Sequence, residues 1–519
     1  MNNKVVIFDT TLRDGEQALA TSLSVEQKVR ICRQLARLKV DVIEAGFPIS
    51  SPGDFESVTT IAKQVRGPII CGLARAVQKD VETCAKAIRP AARRRIHTFV
   101  GTSAIHAKGQ LRKSEKEILD MVKRSVKAAR RFCDDVEFSP MDAGRTRADF
   151  LCRVVEAAIA QGAATVNIPD TVGYTLPEEF AAIIDMLRNR VPNVDKAILS
   201  VHCHNDLGMA TANALNAVAH GARQVECTVN GIGERAGNTA MEEIVMAIKV
   251  RKDLLAVRTE VDTREIMRTS RLVRDICGMP VQPNKAVVGS NAFSHSSGIH
   301  QDGVLKSKKT YEIMTPRSVG LKENRMNLTS RSGSHMVKAR LVSLGYSEKE
   351  IDIEPFYRRF IQLADKKGTI YDDDLVTLME SRDKGDLEDI YALEYLNVSS
   401  GTSTVPTATV RINARGKVHQ EAACGDGAVD AATKAIDRIA GFTINVDDYH
   451  LDAITRGREA LGRVKMTGTS PEGTFTGVGT STDIVDASAR AYMDIVNKIA
   501  RMRKFGKKLY RRRKPEEDL

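Results

Sequence analysis

The chain has 519 residues, of which 42% are hydrophobic and 28% charged, and its formal net charge is +12. This length exceeds one ordinary domain, and the composition is that of a globular protein rather than a disordered or fibrous one. No run approaches the roughly 20 apolar residues that span a bilayer, and the first residues resemble a strand rather than a secretory signal. We therefore expect a cytoplasmic protein without a membrane partner.

Nine cysteines lie scattered between Cys32 and Cys424 without paired spacing, which is typical of reduced thiols in a cytosol. The positive charge is concentrated in local clusters, such as Arg93 to Arg95 and the tail from residue 504. A solvated face or tail explains such clusters, and no nucleic-acid-binding motif accompanies them, so we expect no nucleic-acid partner. An anionic substrate is a further interpretation of the same charge.

Short β-branched runs alternate with amphipathic stretches in the first half of the chain. Eight runs are predicted strands: 5–9, 41–46, 68–74, 95–101, 135–139, 164–169, 198–204 and 224–230. Eight strand–helix units in about 250 residues are what a (β/α)8 TIM barrel requires, whereas an open doubly wound sheet would carry a G-x-G-x-x-G turn after its first strand. The sequence therefore predicts an α/β fold with a TIM barrel over residues 5–267.

Polar residues cluster at the ends of the predicted strands, where catalytic residues of TIM barrels gather. They are Arg13 and Asp14 after the first strand, Glu44, His97, Ser139 and Thr171 at or near the ends of later ones, and Glu234 and Asn238 after the eighth. Any one of them could be an ordinary loop residue, and a single histidine such as His97 usually is. Polar groups from nearly every strand at one rim favour an active site.

His202 and His204 occupy alternate positions of the seventh predicted strand, so both imidazoles point to one face while Cys203 points to the other. Histidine pairs also arise by chance in chains of this length. Here Asp14 is predicted across the barrel mouth and Asn238 follows the next strand, which gives a mixed nitrogen and oxygen ligand set. Such a set favours a catalytic Mn²⁺, Mg²⁺ or Zn²⁺ over a closed structural zinc site, which would use mostly thiolates.

The sequence changes to alternating strands, Gly-rich turns and helices from residue 392. Two segments, GDGAVDAATKAI and GTSTDIVDASARAY, form an internal repeat in which a turn and Val-Asp-Ala lead into a helix. We predict a C-terminal α+β domain of two strand–strand–helix units over 392–519, joined to the barrel by a mainly helical linker over 268–391. Gly425 and Gly427 precede a predicted helix, whose first N–H groups either bind an anion or are simply capped.

Six barrel motifs carry a family resemblance: FDTTLRDGEQ, GFPISSPGDFE, RIHTFVGTS, IPDTVGY, SVHCHNDLG and NGIGERAGN. Together they resemble the acyl-CoA Claisen-condensing TIM barrels, the family of 2-isopropylmalate, homocitrate and citramalate synthases. The similarity continues through SSGIHQDGVLK and LTSRSG into the C-terminal domain, and it is greatest toward the bacterial 2-isopropylmalate branch.

The resemblance implies an acyltransferase that condenses acetyl-CoA with 3-methyl-2-oxobutanoate and hydrolyses the thioester to give 2-isopropylmalate and CoA. This is the first committed step of leucine biosynthesis, and leucine is implied as its feedback inhibitor. A citramalate synthase that uses pyruvate, and a barrel that binds leucine but has lost turnover, are the alternatives.

The same resemblance assigns roles to individual residues. The implied metal ligands are Asp14, His202, His204 and Asn238. The implied catalytic residues are Arg13, against the keto oxygen, together with Glu234 and with His300 as the base in the linker. The implied substrate contacts are Arg13, Glu44, His97, Ser139 and Thr171. The implied leucine site comprises Gly425, Gly427, Val429, Asp430, Ala431 and Asp483.

The cofactors and assembly follow from the resemblance as well. We expect a divalent ion, Mn²⁺ before Mg²⁺ or Zn²⁺, with K⁺ as a further candidate, and a homodimer or tetramer. The chain departs from the family at Met141, where relatives usually carry glutamate, and a thioether cannot replace a carboxylate as acceptor or proton relay. The adjacent Asp142 could compensate, although its side chain should start in another direction. Ala428 stands where relatives often have proline, which alters the stiffness of that loop.

Overall fold

The chain folds into two units in a computed structural model. It describes residues 3–293, 310–321, 328–344, 346–348, 351–367, 370, 372–380, 390–453 and 462–505. Of these, residues up to 293 and 312–321 form the first unit, and 310–311 and those from 328 onward form the second. None of the helices within these ranges combines the length and hydropathy that a bilayer span requires.

Eight parallel strands form the barrel of the first unit: β1 (Val6–Asp9), β2 (Val42–Glu44), β3 (Ile69–Arg75), β4 (Arg94–Gly101), β5 (Val136–Met141), β6 (Thr165–Asp170), β7 (Ile198–Cys203) and β8 (Gln224–Cys227). They are hydrogen-bonded in chain order, and β8 returns to β1 in a register that aligns Gln224 with Val6, so the barrel is closed. The predicted TIM barrel is confirmed, and each predicted strand overlaps an observed one.

The helices of this unit are α1 (Val25–Leu38), α2 (Pro52–Gln64), α3 (Gln78–Ile88), α4 (Glu115–Arg130), α5 (Ala148–Ala160), α6 (Pro177–Arg190), α7 (Ala210–Ala219), α8 (Met241–Val250), α9 (Lys252–Leu255) and α10 (Ile266–Cys277). Local sequence fixes where they begin. The hydroxyls of Ser24 and Ser114 accept the N–H groups of Gln27 and Glu117, whose side chains accept the serine N–H groups in return. Such capping boxes satisfy N–H groups that a helix leaves unpaired.

The interior of the barrel is polar, although branched apolar side chains fill most TIM barrels. Arg95 in β4 donates to Glu137 Oε2 at 2.8 Å and to Gln224 Oε1 at 2.7 Å. Gln224 in turn donates to Glu137 Oε1 and to the Ser200 hydroxyl, and all four side chains are buried. Because side chains alternate along a strand, the residue two positions further in each strand lies one layer nearer the barrel mouth. The polar layer is therefore the floor beneath the candidate site.

The second unit begins with helices and continues with two sheets. Its elements are α11 (Ser334–Ser343), α12 (Ile353–Lys367), α13 (Asp372–Glu380), β9 (Tyr391–Gly401), β10 (Thr404–Ala414), β11 (Lys417–Cys424), α14 (Ala428–Ala440), β12 (Asn445–Ala453), β13 (Gly462–Ser470), β14 (Gly473–Ser481) and α15 (Ile484–Phe505). The first three helices share a core that includes Phe356, Phe360 and Leu375, as the predicted helical linker requires. The division into domains at residues 267 and 391 stays a prediction.

The C-terminal repeat consists of two antiparallel three-stranded sheets, ordered β11-β10-β9 and β12-β13-β14, each followed by a helix. The internal repeat is present, but each copy has three strands where the sequence suggested two. In β9 a register shift between Leu393 and Tyr395 interrupts the alternation of half-buried apolar residues. Residues 445–451 of β12, the outer strand of the second sheet, are exposed.

Helix α15 packs closely on β14 at glycine positions. A Cβ atom on Gly477 would lie 2.0 Å from the carbonyl oxygen of Ala491 and 2.8 Å from the side chain of Ile495. Contacts this short exclude any larger residue unless the helix moves.

We expect Gly477→Ala to lower the free energy of unfolding of the second unit by about 1–3 kcal/mol, because the added methyl group overpacks this interface. Gly462→Ala is the matched control in the same sheet, since a Cβ there meets neighbours only at 3.6 Å or more. Urea unfolding of both full-length variants, followed by circular dichroism, measures the difference. Equal stabilities would contradict the close packing of α15 on β14.

Candidate active site and metal centre

The loop after β1 delivers two predicted site residues. Thr11–Gly15 form a π-helical turn, a wide turn that recurs at functional sites. The Thr10 hydroxyl accepts the N–H of Asp14, and the Asp9 carboxylate accepts both the N–H and the hydroxyl of Thr11. These bonds hold the turn so that Arg13 and Asp14 line the cavity in the barrel mouth.

Asp14, His202 and His204 converge at one point in this mouth. Asp14 Oδ2 lies 3.4 Å from His202 Nε2 and 3.7 Å from His204 Nε2, and candidate ligand atoms of all three residues lie within 4.8 Å of one another. A backbone bridge between His204 and Asn238 brings the loop after β8 to the same place. The structure thus brings together the four side chains that the sequence predicted as metal ligands.

Unpartnered polar atoms test whether these residues fit a metal ion. Among the described residues, Asp14 Oδ2 and Asn238 Oδ1 are buried without a hydrogen-bond partner, and each such atom costs about 1–3 kcal/mol. The amide nitrogen of Asn238 donates to the Ile232 carbonyl oxygen at 3.2 Å, which leaves the amide oxygen available as a ligand. Two imidazoles, a carboxylate and an amide oxygen fit a divalent cation.

The electrostatics of the cluster favour the same conclusion. Burial acts to raise the pKa of Asp14, but the positive charges of Arg13 and His202 outweigh it, so the pKa lies below its ordinary value. Burial and the neighbouring His202 lower the pKa of His204 to about 3. At neutral pH Asp14 is therefore a carboxylate and His204 a neutral imidazole, the protonation states in which these side chains bind metals.

A chain of charged hydrogen bonds forms the wall next to this cluster. Glu44 Oε2 accepts from Arg13 Nε at 2.6 Å and from the Thr10 hydroxyl at 2.8 Å, while Glu44 Oε1 lies 2.7 Å from His97 Nδ1. His97 Nε2 lies 2.7 Å from the Ser139 hydroxyl. Burial opposes the charge on His97, but the negative charge of Glu44 outweighs it and raises the pKa of His97 to about 9. His97 is therefore a cation at neutral pH.

A cavity of about 260 Å³ opens at this wall. Its lining includes the predicted residues Arg13, Asp14, His97, Ser139, Thr171, His202, His204 and Glu234, together with the apolar residues Phe47, Leu73, Phe99, Met141 and Pro169. Glu44 is fully buried behind the lining and supports Arg13 and His97 instead of facing the cavity. Asn238 lines a neighbouring cavity of about 340 Å³.

Arg235 ties the loops of the mouth together and was not anticipated from the sequence. It donates to the Thr171 carbonyl oxygen at 2.9 Å and to Asp206 Oδ1 at 2.7 Å, so it joins the loops after β6, β7 and β8. Its backbone lies in the left-handed region at φ 57°, a strained conformation that clusters at functional sites. Glu234, beside it, is half exposed at the mouth.

Asp142 does not take the place of a carboxylate at Met141. The Asp142 backbone is left-handed at φ 65°, and its carboxylate accepts from Arg145 Nε at 2.9 Å and lies 3.0 Å from His106 Nδ1. Met141 lines the cavity, whereas Asp142 is absent from its lining. Compensation by Asp142 is therefore wrong, because the turn after β5 directs its side chain to another partner.

Glu226 is a second residue that sequence analysis missed. Glu226 occupies an inward-facing position of β8 that is paired with His202 in β7. Its Oε2 lies 2.8 Å from His202 Nδ1. The signal was present in the sequence, because Glu226 lies two residues after Gln224 in a predicted strand and shares its inward face.

The remaining predicted residues lie outside the barrel. His300 falls in the segment 294–309, outside the described residues. In the C-terminal domain, Gly427 precedes α14 without a side-chain cap, and Val429, Asp430 and Ala431 form its first turn. Asp430 Oδ2 accepts the Asp426 N–H at 2.8 Å and lies 2.7 Å from Lys434 Nζ.

The second repeat is capped differently from the first. Asp483 Oδ1 accepts the N–H groups of Val485 and Asp486 at the start of α15. The second turn is therefore closed by its own carboxylate, whereas Gly427 supplies no such side chain before α14.

Gly425 approaches α14 so closely that a Cβ on it would lie 2.4 Å from the nitrogen of Ala431.

Three family descriptions match consecutive parts of the chain. Residues 4–273 match the HMGL-like family, 287–368 match the homocitrate synthase post-HMGL domain-like family, and 369–500 match the LeuA allosteric (dimerisation) domain. The HMGL-like match coincides with the barrel and its neighbouring helices, and the LeuA match includes the two C-terminal sheets.

Curated relatives match the chain over nearly its whole length. The protein of Tolumonas auensis is 55% identical over 501 residues, which cover 96% of each chain. Those of Shewanella loihica and Aeromonas hydrophila are 55% and 54% identical and cover 96% of this chain. All three are named 2-isopropylmalate synthase, which confirms the predicted enzyme class. The chain therefore belongs to the 2-isopropylmalate synthase family.

Proposed function

We propose that this chain catalyses the metal-dependent condensation of acetyl-CoA with 3-methyl-2-oxobutanoate to 2-isopropylmalate and CoA. The observation that carries the proposal is the convergence of Asp14, His202 and His204 at a cavity lined by cationic and apolar side chains. Asn238 is bridged to His204, and Asp14 Oδ2 and Asn238 Oδ1 are buried without a hydrogen-bond partner among the described residues. The names of relatives that are 54–55% identical support this choice of substrate.

The residues of the mouth suit addition to a carbonyl group. A divalent ion held by Asp14, His202, His204 and Asn238 would polarise the keto group of the 2-oxo acid. Arg13, held by Glu44 at 2.6 Å, lines the same cavity and would stabilise the negative charge that develops on the keto oxygen. The cationic His97 would attract the anionic 2-oxo acid and orient it.

The proposed reaction proceeds in three steps: deprotonation, carbon–carbon bond formation and hydrolysis. A base, for which we propose His300 with Glu234 as a further catalytic group, removes a proton from the methyl group of acetyl-CoA. The resulting carbon forms a bond to the keto carbon, and the electrons of the C=O double bond move to oxygen, which takes up a proton. Water then cleaves the thioester and releases the CoA thiol.

The apolar side chains of the cavity favour binding of the branched 2-oxo acid over binding of pyruvate. Leu73, Phe99 and Met141 lie in the lining beside the polar residues, so an isopropyl group would gain contacts that a methyl group cannot make. Each additional methyl group buried in such a pocket is worth about 1–3 kcal/mol of discrimination. A thioether at Met141 suits an apolar substituent better than a carboxylate would.

We expect the Mn²⁺-loaded protein to release CoA thiol from acetyl-CoA with both 2-oxo acids, with kcat/KM at least about 10-fold higher for 3-methyl-2-oxobutanoate than for pyruvate. Exhaustive chelation should abolish release, and added Mn²⁺ should restore it. Asp14→Asn should lose activity because it removes a charged ligand, whereas Asp253→Asn, an exposed carboxylate after α8, is the control. Thiol release is followed with a chromogenic disulfide. Equal use of pyruvate would favour a citramalate synthase, and no release would contradict the proposed activity.

Because the positive charge of His97 is proposed to attract the 2-oxo acid, binding of this substrate should depend on pH. The pKa of His97 is raised from 6.5 to about 9, so its contribution to stability is complete below pH 6.5 and is lost as the pH rises through about 9. We expect KM for the 2-oxo acid to rise as the pH rises through about 9, because the neutral imidazole attracts the anion less.

In Glu44→Gln, which removes the charge that raises the pKa of His97, the imidazole should be neutral at neutral pH. Nitrogen NMR of labelled histidine measures this directly, and a neutral His97 in the unmodified protein at pH 7 would contradict it.

We further propose that the C-terminal domain makes the enzyme a homodimer inhibited by leucine. Its match to the LeuA allosteric (dimerisation) domain supports both parts. Exposed apolar side chains on the sheets, among them Val418, Tyr449 and Leu451, offer a surface for a second copy to cover. We place leucine at Gly425, Gly427, Val429, Asp430, Ala431 and Asp483.

We expect leucine to lower the initial rate, and Asp430→Asn to raise the half-inhibitory leucine concentration at least about 10-fold, because a charged hydrogen bond to the leucine ammonium group contributes about 1.5–3 kcal/mol. The uninhibited rate should stay unchanged. Asp447→Asn is the control, since Asp447 is exposed in β12 and its carboxylate accepts from the Thr469 hydroxyl. Unchanged inhibition in Asp430→Asn would remove Asp430 from the leucine site.

A further inference from the structure

Glu226 lies behind the candidate metal centre, and no role in the proposed reaction uses it. The β7–β8 register aligns Glu226 with His202, so both side chains enter the barrel at the same height. Glu226 is 1% exposed, and its Oε2 lies 2.8 Å from His202 Nδ1. A buried carboxylate is costly unless it is paired, so its presence in this place requires an explanation.

The contact determines which nitrogen of His202 is available. Since a carboxylate only accepts hydrogen bonds, His202 Nδ1 carries the proton and donates it to Glu226. In the neutral ring, the form that binds a metal, Nε2 then keeps its lone pair, and this is the nitrogen that lies 3.4 Å from Asp14 Oδ2. A carboxylate bonded to a histidine in this way fixes the tautomer and the orientation of the ring and raises its basicity as a ligand.

The two histidines of the cluster differ in this respect. His204 Nδ1 is buried and has no hydrogen-bond partner among the described residues. His202 is therefore the histidine that is anchored from behind, and the ring of His204, 4.9 Å away between centroids, is positioned by packing and by its backbone bridge to Asn238.

The other oxygen of Glu226 faces the substrate wall. Oε1 lies 3.9 Å from His97 Nδ1 and accepts no hydrogen bond among the described residues. His97 already has Glu44 at 2.7 Å, so Glu226 adds negative charge near a cation without binding it directly. One carboxylate thus lies between a candidate metal ligand and a candidate substrate contact.

We propose that Glu226 is a positioning residue of the metal centre, which holds His202 in the tautomer and orientation in which Nε2 binds the ion. The inference rests on the proposed metal-dependent function. Glu226 acts through His202 and does not itself contact the ion or the 2-oxo acid.

The test measures metal affinity, not turnover. Mn²⁺ binding to the full-length metal-free protein is followed by electron paramagnetic resonance, which distinguishes free from bound ion. We expect Glu226→Gln, which keeps the shape but removes the charge, to weaken Mn²⁺ binding about 10- to 100-fold. Glu242→Gln is the matched control, because Glu242 is also buried, accepts the Asn230 N–H at 3.0 Å and contacts no proposed ligand among the described residues. It should bind Mn²⁺ as the unmodified protein does.

A double-mutant cycle separates positioning from a general loss of structure. In a His202→Ala background, Glu226→Gln should cause no further loss of Mn²⁺ affinity, since its partner is gone. A loss as large as in the unmodified background would overturn the inference, as would Mn²⁺ binding by Glu226→Gln equal to that of the unmodified protein. If Glu226→Gln does not fold, Glu226→Asp, which keeps the charge but withdraws it by one methylene, replaces it in the same cycle.

The controls also separate this inference from the proposed function. Absence of Mn²⁺ binding by the unmodified protein would defeat both. Tight binding by the unmodified protein together with unchanged binding by Glu226→Gln would defeat only the role of Glu226.

Discussion

Three buried carboxylates, those of Asp14, Glu44 and Glu226, lie in one mouth of the barrel, each no more than 3% exposed. Buried charges are costly unless they are paired, and the fixed cations nearby are Arg13 and His97. Arg13 and His97 both contact Glu44, Arg13 also contacts Asp14, and His202 contacts Glu226. Asp14 nevertheless retains an oxygen without a hydrogen-bond partner among the described residues. In the proposed function a divalent cation would pair with this oxygen.

The fold explains how the charges come to share one mouth. All eight strands are parallel and the barrel is closed, so every strand ends at the same rim. Alternation along each strand directs every second side chain inward. Arg95, Glu137 and Gln224 bond to one another in the layer below, which gives the mouth a rigid polar floor. Catalytic groups on such a scaffold keep their positions without substrate, as electrostatic stabilisation of a transition state requires.

The sequence predicted the parts of the site that depend on periodicity and strand order. His202 and His204 share a face because they are two residues apart, and Asp14 reaches them because β1 and β7 end at the same rim. Partners that depend on side-chain direction were not predictable. The different direction of Asp142 was expected, but its left-handed backbone places the carboxylate against Arg145 and His106, which was not. Arg235 joins three loops whose proximity is a product of barrel closure. The third strand of each C-terminal repeat was missed because residues 445–451 of β12 are exposed and because a register shift between Leu393 and Tyr395 interrupts the alternating pattern of β9.

The central claim is that one divalent ion is held by Asp14, His202, His204 and Asn238. The most direct measurement is an anomalous-difference map at the manganese absorption edge, from crystals of the full chain grown with Mn²⁺. The account predicts a single strong peak in the barrel mouth, directly coordinated by a donor atom of each of the four residues. A mouth without a peak at saturating Mn²⁺, or a peak held by other side chains, would contradict it.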